Sequence, residues 1–412
     1  MISRVADHCF WYGRYLERAE STARLLATTH NLALDSELAP AQCWRPVIIV
    51  AGEEEAYVEQ VRAQAAAELA AREAALHALA GGGPSPRAEG PSQWPPSAGQ
   101  SQSPSQSPSQ SQSQSQSQSQ SQSQSPSQSQ TSGSPSPASG SRSYALLAAV
   151  ASDDPDGPWQ DGDRVERYLT WSDDSAVSIK RTVAAARWNA RQIREVVSLE
   201  AWETTNELHL WLGDPSAQVD WAERRFDFYR RVRSTTQLCL GLLRSTMLHD
   251  EPLDFIWLGV MLERVNQTAR ILDVQHHALT SLPARHEVVE TSLWLSLLRS
   301  LSGFEPFMKR NRGRVDAEAV AEFLIGEDRF PRSVAYCVRQ GYERLRAIRP
   351  TEATHLPGGR ALERLRRLDE QVRERRGRLG GGDAVHELLT TVVDETHAAC
   401  VDLGRELLGA PA

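Results

Sequence analysis

The residues of this chain best suited to chemistry come as a repeated pair. Glu17 and Arg18 stand in WYGRYLERAESTARLL (residues 11–26), and Glu263 and Arg264 stand in WLGVMLERVNQTARIL (257–272). Nine of the sixteen aligned positions are identical, among them Gly13 and Arg24 with their counterparts Gly259 and Arg270. Carboxylates kept beside guanidinium groups can serve in two ways. They can orient a reacting group or move a proton, with the arginines gripping a carboxylate or phosphate through paired N–H donors. They can equally be buried ion pairs that fix the register of packed helices. Glu17 and Glu263 are the candidates for acid or base chemistry. Arg14, Glu17, Arg18, Glu20, Arg24, Glu263, Arg264 and Arg270 are the candidates for binding.

The spacing says what element must carry them. At about 100° per residue, Trp11, Leu16, Thr22, Ala23 and Leu26 span an arc of about 140°, with Arg18 at its edge. That arc is a core-facing stripe. Gly13, Glu17 and Arg24 fall within about 40° of one another on the opposite side of the same helix. An exposed ion pair contributes only about 0–1 kcal/mol, so an outer face has little reason to keep these types in two copies. The far face is therefore expected to be buried as well, with Gly13 allowing a close approach. Physical grounds alone favour the buried anchor over the ligand site.

Other constellations carry less. The only Glu-x-x-His, Glu352 to His355, sits in a Pro-Gly-rich stretch, whereas a di-iron bundle needs two such pairs on facing helices. Asp273/His276, Asp383/His386 and Asp394/His397 fall on helical segments, where isolated pairs of this kind are usually surface or capping residues; no metal and no cofactor is expected. Trp202, Asn206 and His209 share one helix face, which reads as a packed Trp with a hydrogen-bonding Asn. No G-x-x-x-x-G-K-[ST], G-x-G-x-x-G or G-x-S-x-G occurs, which disfavours an autonomous NTPase, a dinucleotide enzyme or an α/β-hydrolase.

Helical periodicity runs through nearly the whole chain. Helices are expected over 3–34, 53–80, 175–197, 199–212, 221–247, 251–279, 286–310, 317–325, 332–348, 360–378 and 384–408. Asp250 and Asp316 are suited to cap two of them, and GDPS at 213–216 reads as a break. The segment 81–143 is almost wholly Gly, Pro, Ser and Gln and has little apolar surface to offset the entropy of ordering, so it is expected to be a disordered insert. A second repeat relates LTWSDDSAVSI (169–179) to LIGEDRFPRSV (324–334) through Leu169, Asp173 and Ser178 against Leu324, Asp328 and Ser333. The first motif recurs after 246 residues and the second after 155, and the extra 91 residues lie where the Ser-Gln tract sits. The fold class expected is all-α, a pseudo-symmetric helical bundle of two related halves, 1–249 with the insert and 250–412 with the C-terminal helices.

Composition narrows the partners. With 412 residues, 40% of them hydrophobic, the chain can bury a large core. A net charge of −8 offers no polycationic surface for a phosphate backbone, so nucleic acid is not expected. Neither a secretory leader nor a membrane-spanning apolar run is evident, which makes the cytoplasm the expected compartment. Cys9, Cys43, Cys239, Cys337 and Cys400 are scattered singly, as reduced buried thiols would be.

Taken in order, SRVADHCFWYGRYLERAESTARLL, WRPVI, YLTWSDDSAVSI, AARWNARQIREVVSLEAWETTNELHLWL, WLGVMLERVNQTARILD and FLIGEDRFPRSVAYCV resemble the bacterial alpha-E domain family. The resemblance covers most of the chain outside the insert and the tail beyond about 350. It implies an all-helical protein, typically encoded beside circularly permuted ATP-grasp ligases and transglutaminase-like peptidases. The function it implies is an accessory or partner component of a cytoplasmic peptide-ligase or peptide-modification system, with such a protein as partner. The alternative is a helical enzyme using Glu17 and Glu263 on a peptide or amide. Gly13, Arg14, Glu17, Arg18, Glu20, Thr22 and Arg24 match the family's first motif. The second copy departs, with Val260 where the family usually has Arg and Asn266 where it usually has an acid, so the first helix is the better place for a site.

Overall fold

The computed structural model describes residues 3–35, 38–80, 157–280, 287–312, 315–353, 355–380 and 382–409. Among these residues there are fifteen helices and no strand, so the chain is all-α. The Ser-Gln tract, 81–143, lies outside the described residues. The chain divides into two units, 1–64 with 140–412, and 65–139. The described part of the smaller unit is the later portion of helix α3 (Glu54–Ala80), whose side chains over 65–77 are exposed. The larger unit draws on both expected halves and holds the core.

Two long helices, α1 (Ser3–Asp35) and α9 (Glu251–Thr280), carry the repeated sequence and form its centre. α1 packs along α9, α5 (Ile179–Gln192) and α8 (Arg225–Thr246). α9 packs in turn along α13 (Val334–Ile348) and α15 (Gly382–Glu406). α1 is consequently buried on both sides, Leu16, Ala23 and Leu26 on one and Gly13, Glu17 and Arg24 on the other. Each fully buried leucine contributes roughly 1.5–3 kcal/mol, which is enough to oppose rotation of α1 about its axis.

The segments 169–179 and 324–334 both run across a helix-to-helix junction. Leu169 in α4 (Gly162–Trp171) and Leu324 in α12 (Ala317–Gly326) are buried near the ends of their helices. Ser178 and Ser333 then cap α5 and α13, accepting from the backbone N–H of Arg181 at 3.3 Å and of Tyr336 at 3.1 Å. Asp316 caps α12 as expected, accepting from the Ala319 N–H at 2.8 Å.

Some elements differ from the expectation. The stretch over 221–247 is two helices, α7 (Pro215–Glu223) and α8, because Arg224 leaves helical geometry at φ −135°, ψ 54°. Asp214 in GDPS both follows α6 (Leu199–Gly213) and caps α7, so the break is also a start. The stretch over 286–310 is likewise split, into α10 (Glu287–Ser300) and α11 (Phe304–Asn311), at Ser302 with φ 55°. Helix α2 (Pro40–Ala51), with a proline in its first turn and Pro46 inside it, and α4 were not in the expected set. α14 (Gly359–Arg375) completes the order. Among the described residues no helix is long and apolar enough to cross a membrane.

Candidate functional site

α1 and α9 meet backbone to backbone. A Cβ added to Gly13 would lie 2.1 Å from the carbonyl oxygen of Ile256, and one added to Gly259 would lie 2.1 Å from that of Phe10. No side chain fits at such a distance, which accounts for glycine at both positions. Gly13 and Gly259 are equivalent in the repeat, as are Phe10 and Ile256, so the contact between the two helices is reciprocal.

One turn further along, that approach sets each glutamate against the other helix's arginine. Arg264 Nε and Nη2 donate to the two oxygens of Glu17 at 2.9 and 2.6 Å. Arg18 Nε and Nη2 donate to the two oxygens of Glu263 at 2.6 and 2.9 Å. Both pairs are bidentate, the strongest geometry open to these groups. Each glutamate has a second arginine: Arg332 Nη1 donates to Glu17 at 2.8 Å, and Arg14 Nε donates to Glu263 at 2.8 Å. Neither carboxylate is accessible to solvent.

The knot is not even-handed. Glu20, on the same face of α1, accepts from Arg332 Nη2 at 2.7 Å, from Gln237 at 3.0 Å and from Arg24. Arg332, in the junction before α13, thereby bridges Glu17 and Glu20. At the aligned positions Asn266 stands against Glu20, Val177 against Arg332 and Val260 against Arg14. The acid and its bridging arginine are thus absent together. Arg332 was not among the residues singled out in the sequence, and the repeat could not have revealed it, since its counterpart is a valine. Its only mark was its place in the FLIGEDRFPRSVAYCV stretch.

The structure brings seven of the eight expected binding residues into this knot. Arg270 is the exception: its Nη2 donates to the Ile49 carbonyl at the end of α2 at 3.0 Å, and it makes no ion pair among the described residues. Guanidinium is in excess, with Arg14, Arg18, Arg24, Arg264 and Arg332 bonded to Glu17, Glu20 and Glu263. The buried Nε of Arg24 has no acceptor among the described residues, and neither has that of Arg233 on α8 nearby.

Electrostatics follow from this arrangement. Burial pushes the Glu17 carboxyl up, but the charges and hydrogen bonds of Arg264 and Arg332 outweigh it and hold the group down to about 2. Burial acts on Glu263 in the same sense, and Arg18 with Arg14 brings it well below the carboxylate range. Arg264 is shifted up against its own burial, chiefly by Glu17. Burial pushes the thiols of Cys9 and Cys337 up to about 12, and that of Cys400 up as well, although Arg14 Nη1 donates to its sulfur at 3.3 Å. Bonded on both oxygens by arginines, each carboxylate is held in its charged form. Of the Asp/His residues, Asp273 meets His386 across α9 and α15 at 2.9 Å, and among the described residues no three His, Cys, Asp or Glu side chains gather as a metal-holding group.

No curated protein and no solved structure matches this chain. The Alpha-E family, described as a predicted alpha-helical domain with a conserved ER motif, matches residues 1–86 and 122–407, leaving out 87–121 inside the Ser-Gln tract. Glu17-Arg18 and Glu263-Arg264 are the Glu-Arg pairs at the crossing of α1 and α9. With nearly its whole length matched, the chain belongs to the Alpha-E family.

Proposed function

We propose that the chain is a non-catalytic, protein-binding component of a bacterial cytoplasmic ATP-grasp peptide-ligase or peptide-modification system, its partner the ligase or a transglutaminase-like protein. The partner class comes from the family resemblance. What supports the non-catalytic part is one observation: Glu17 and Glu263 are each saturated by two arginines and inaccessible to solvent. The rival, an enzyme using these two carboxylates for acid-base chemistry, needs at least one of them free to take up a proton.

The same burial changes where a partner would dock. The side chains of Arg14 and Arg24 are only 11% and 8% exposed, so they stabilise the scaffold while a protein partner meets the outer surface. Co-expression with an ATP-grasp ligase encoded beside it tests the proposal. Co-elution on size exclusion, with amide-bond formation that needs the ligase, is the expected result. Absence of any complex would sink the accessory role. Turnover of a peptide or amide by this chain alone, abolished in a folded Glu17→Gln variant, would establish the rival.

A further inference from the structure

Arg264 is shared between the knot and a partly open cavity of about 150 Å³ lined by the end of α8, the first turns of α9 and the flank of α13. The polar part of the lining carries three arginines, Arg244, Arg264 and Arg344, with His249, Tyr336 and Gln340, and none of its lining residues is acidic. Two of these arginines are already neutralised, Arg264 by Glu17 at 2.6 Å and Arg344 by Asp254 at 2.9 Å. Arg244 has no carboxylate partner among the described residues, and its guanidinium is held 5.6 Å over the ring of Trp257. Its charge is the one an incoming anion can meet. The apolar part of the lining comes from Leu253, Trp257 and Met261.

Size and wall chemistry select the ligand. A cavity of this volume takes a group of about benzene size. Sites that enclose a whole drug-sized ligand run to roughly 300–1,000 Å³, so a complete nucleotide is too large and a single terminal group fits. The arginines call for an oxyanion and offer paired N–H donors to it. Inorganic phosphate would leave the apolar part of the lining unused, whereas a carboxylate on a short apolar stem uses both parts. A free amino acid would bring an ammonium in beside the arginines, with no acidic residue in the lining to meet it, and like charges repel. An acylated amine carries no such charge.

We infer that this cavity is a carboxylate-binding site, which takes the C-terminal carboxylate of a peptide together with part of its apolar last side chain. Arg244 supplies the charge, Trp257 and Met261 the apolar contact, and Arg264 ties the site to the ion-pair knot. The inference concerns the chain's own cavity and stands apart from any association with a ligase.

Calorimetric titration of the full chain with N-acetyl-Ala-Leu, its C-terminal amide and inorganic phosphate tests it. The acid is expected to bind saturably at one site and the amide at least about tenfold more weakly, since one charge-assisted pair is lost. Arg244→Ala should weaken the acid by a similar factor without lowering the melting temperature, Arg244 being exposed and outside any ion pair among the described residues. Gln340→Glu, which places a negative charge in the cavity, should abolish binding and serves if Arg244→Ala folds poorly. Equal binding of acid and amide, no saturation up to about 10 mM, or unchanged affinity in a folded variant would overturn the assignment. Phosphate that binds more tightly than the acid would overturn it too, in favour of an inorganic oxyanion.

Discussion

Glu17 shows how a single side chain can be read one way in sequence and another in structure. Its recurrence as Glu263 marked it as unusual, and the helical wheel placed it on the face with Gly13 and Arg24. What stayed hidden was its partner Arg332, because an arginine 315 positions away, facing a valine in the repeat, leaves no periodic trace. The charge network makes a firm prediction. Glu17→Gln strands Arg264 in the interior and leaves Arg332 with Glu20 alone, and breaking a buried pair in this way costs about 3–5 kcal/mol. Denaturant unfolding at pH 7 should show that loss, and Glu263→Gln should show a comparable one; a loss below about 1 kcal/mol would mean the pairs behave as surface pairs do. The pH dependence has a fixed sign. The folded-state pKa of Glu17 is lowered from 4.5 to about 2, so its stabilisation is complete above 4.5 and is lost as the pH falls toward 2. The gap between wild type and Glu17→Gln should narrow over that window.

At the level of helices, the central crossing sets up an opposition between local propensity and packing. Alanine is better than glycine in a helix interior by about 1 kcal/mol, so propensity alone says that Gly13→Ala stabilises the protein. The crossing says the reverse, since a Cβ 2.1 Å from a carbonyl oxygen must push α1 and α9 apart. Overpacking of this kind costs typically about 1–3 kcal/mol. Both Gly13→Ala and Gly259→Ala should therefore lower the melting temperature, and a rise in either would mean the helices do not touch there. α1 and α9 were legible because long apolar stripes at helical spacing are hard to mistake. α2 was not, since it is short, is punctuated by Pro40 and Pro46, and its Val47–Val50 run has no helical alternation. α7 was hidden for a related reason, as Pro215 signals a break and a helix start alike.

For the molecule as a whole, the family match passes over 87–121 while holding on either side of it. Excising 87–121 should leave the cooperative thermal transition where it was, and a clear drop in melting temperature would show that the tract contributes to folding. The all-helical class and the order of the motifs were open to inspection in the sequence, while the way the two expected halves share one core rests on contacts between residues far apart in the chain. The reciprocal crossing carries a last consequence. Cut between His249 and Asp250, the chain would yield one fragment with Glu17 lacking Arg264 and Arg332, and another with Glu263 lacking Arg14 and Arg18. Neither fragment should fold alone, and mixing them should restore the helical signal; independent folding of either would show that the exchange of charges is dispensable. Two identical chains could close the same crossing, each lending its arginine to the other's glutamate, as the self-complementary interface of a two-fold dimer requires. With both helices in one polypeptide the two need not be alike, and they are not: Val260 aligns with Arg14 and Asn266 with Glu20.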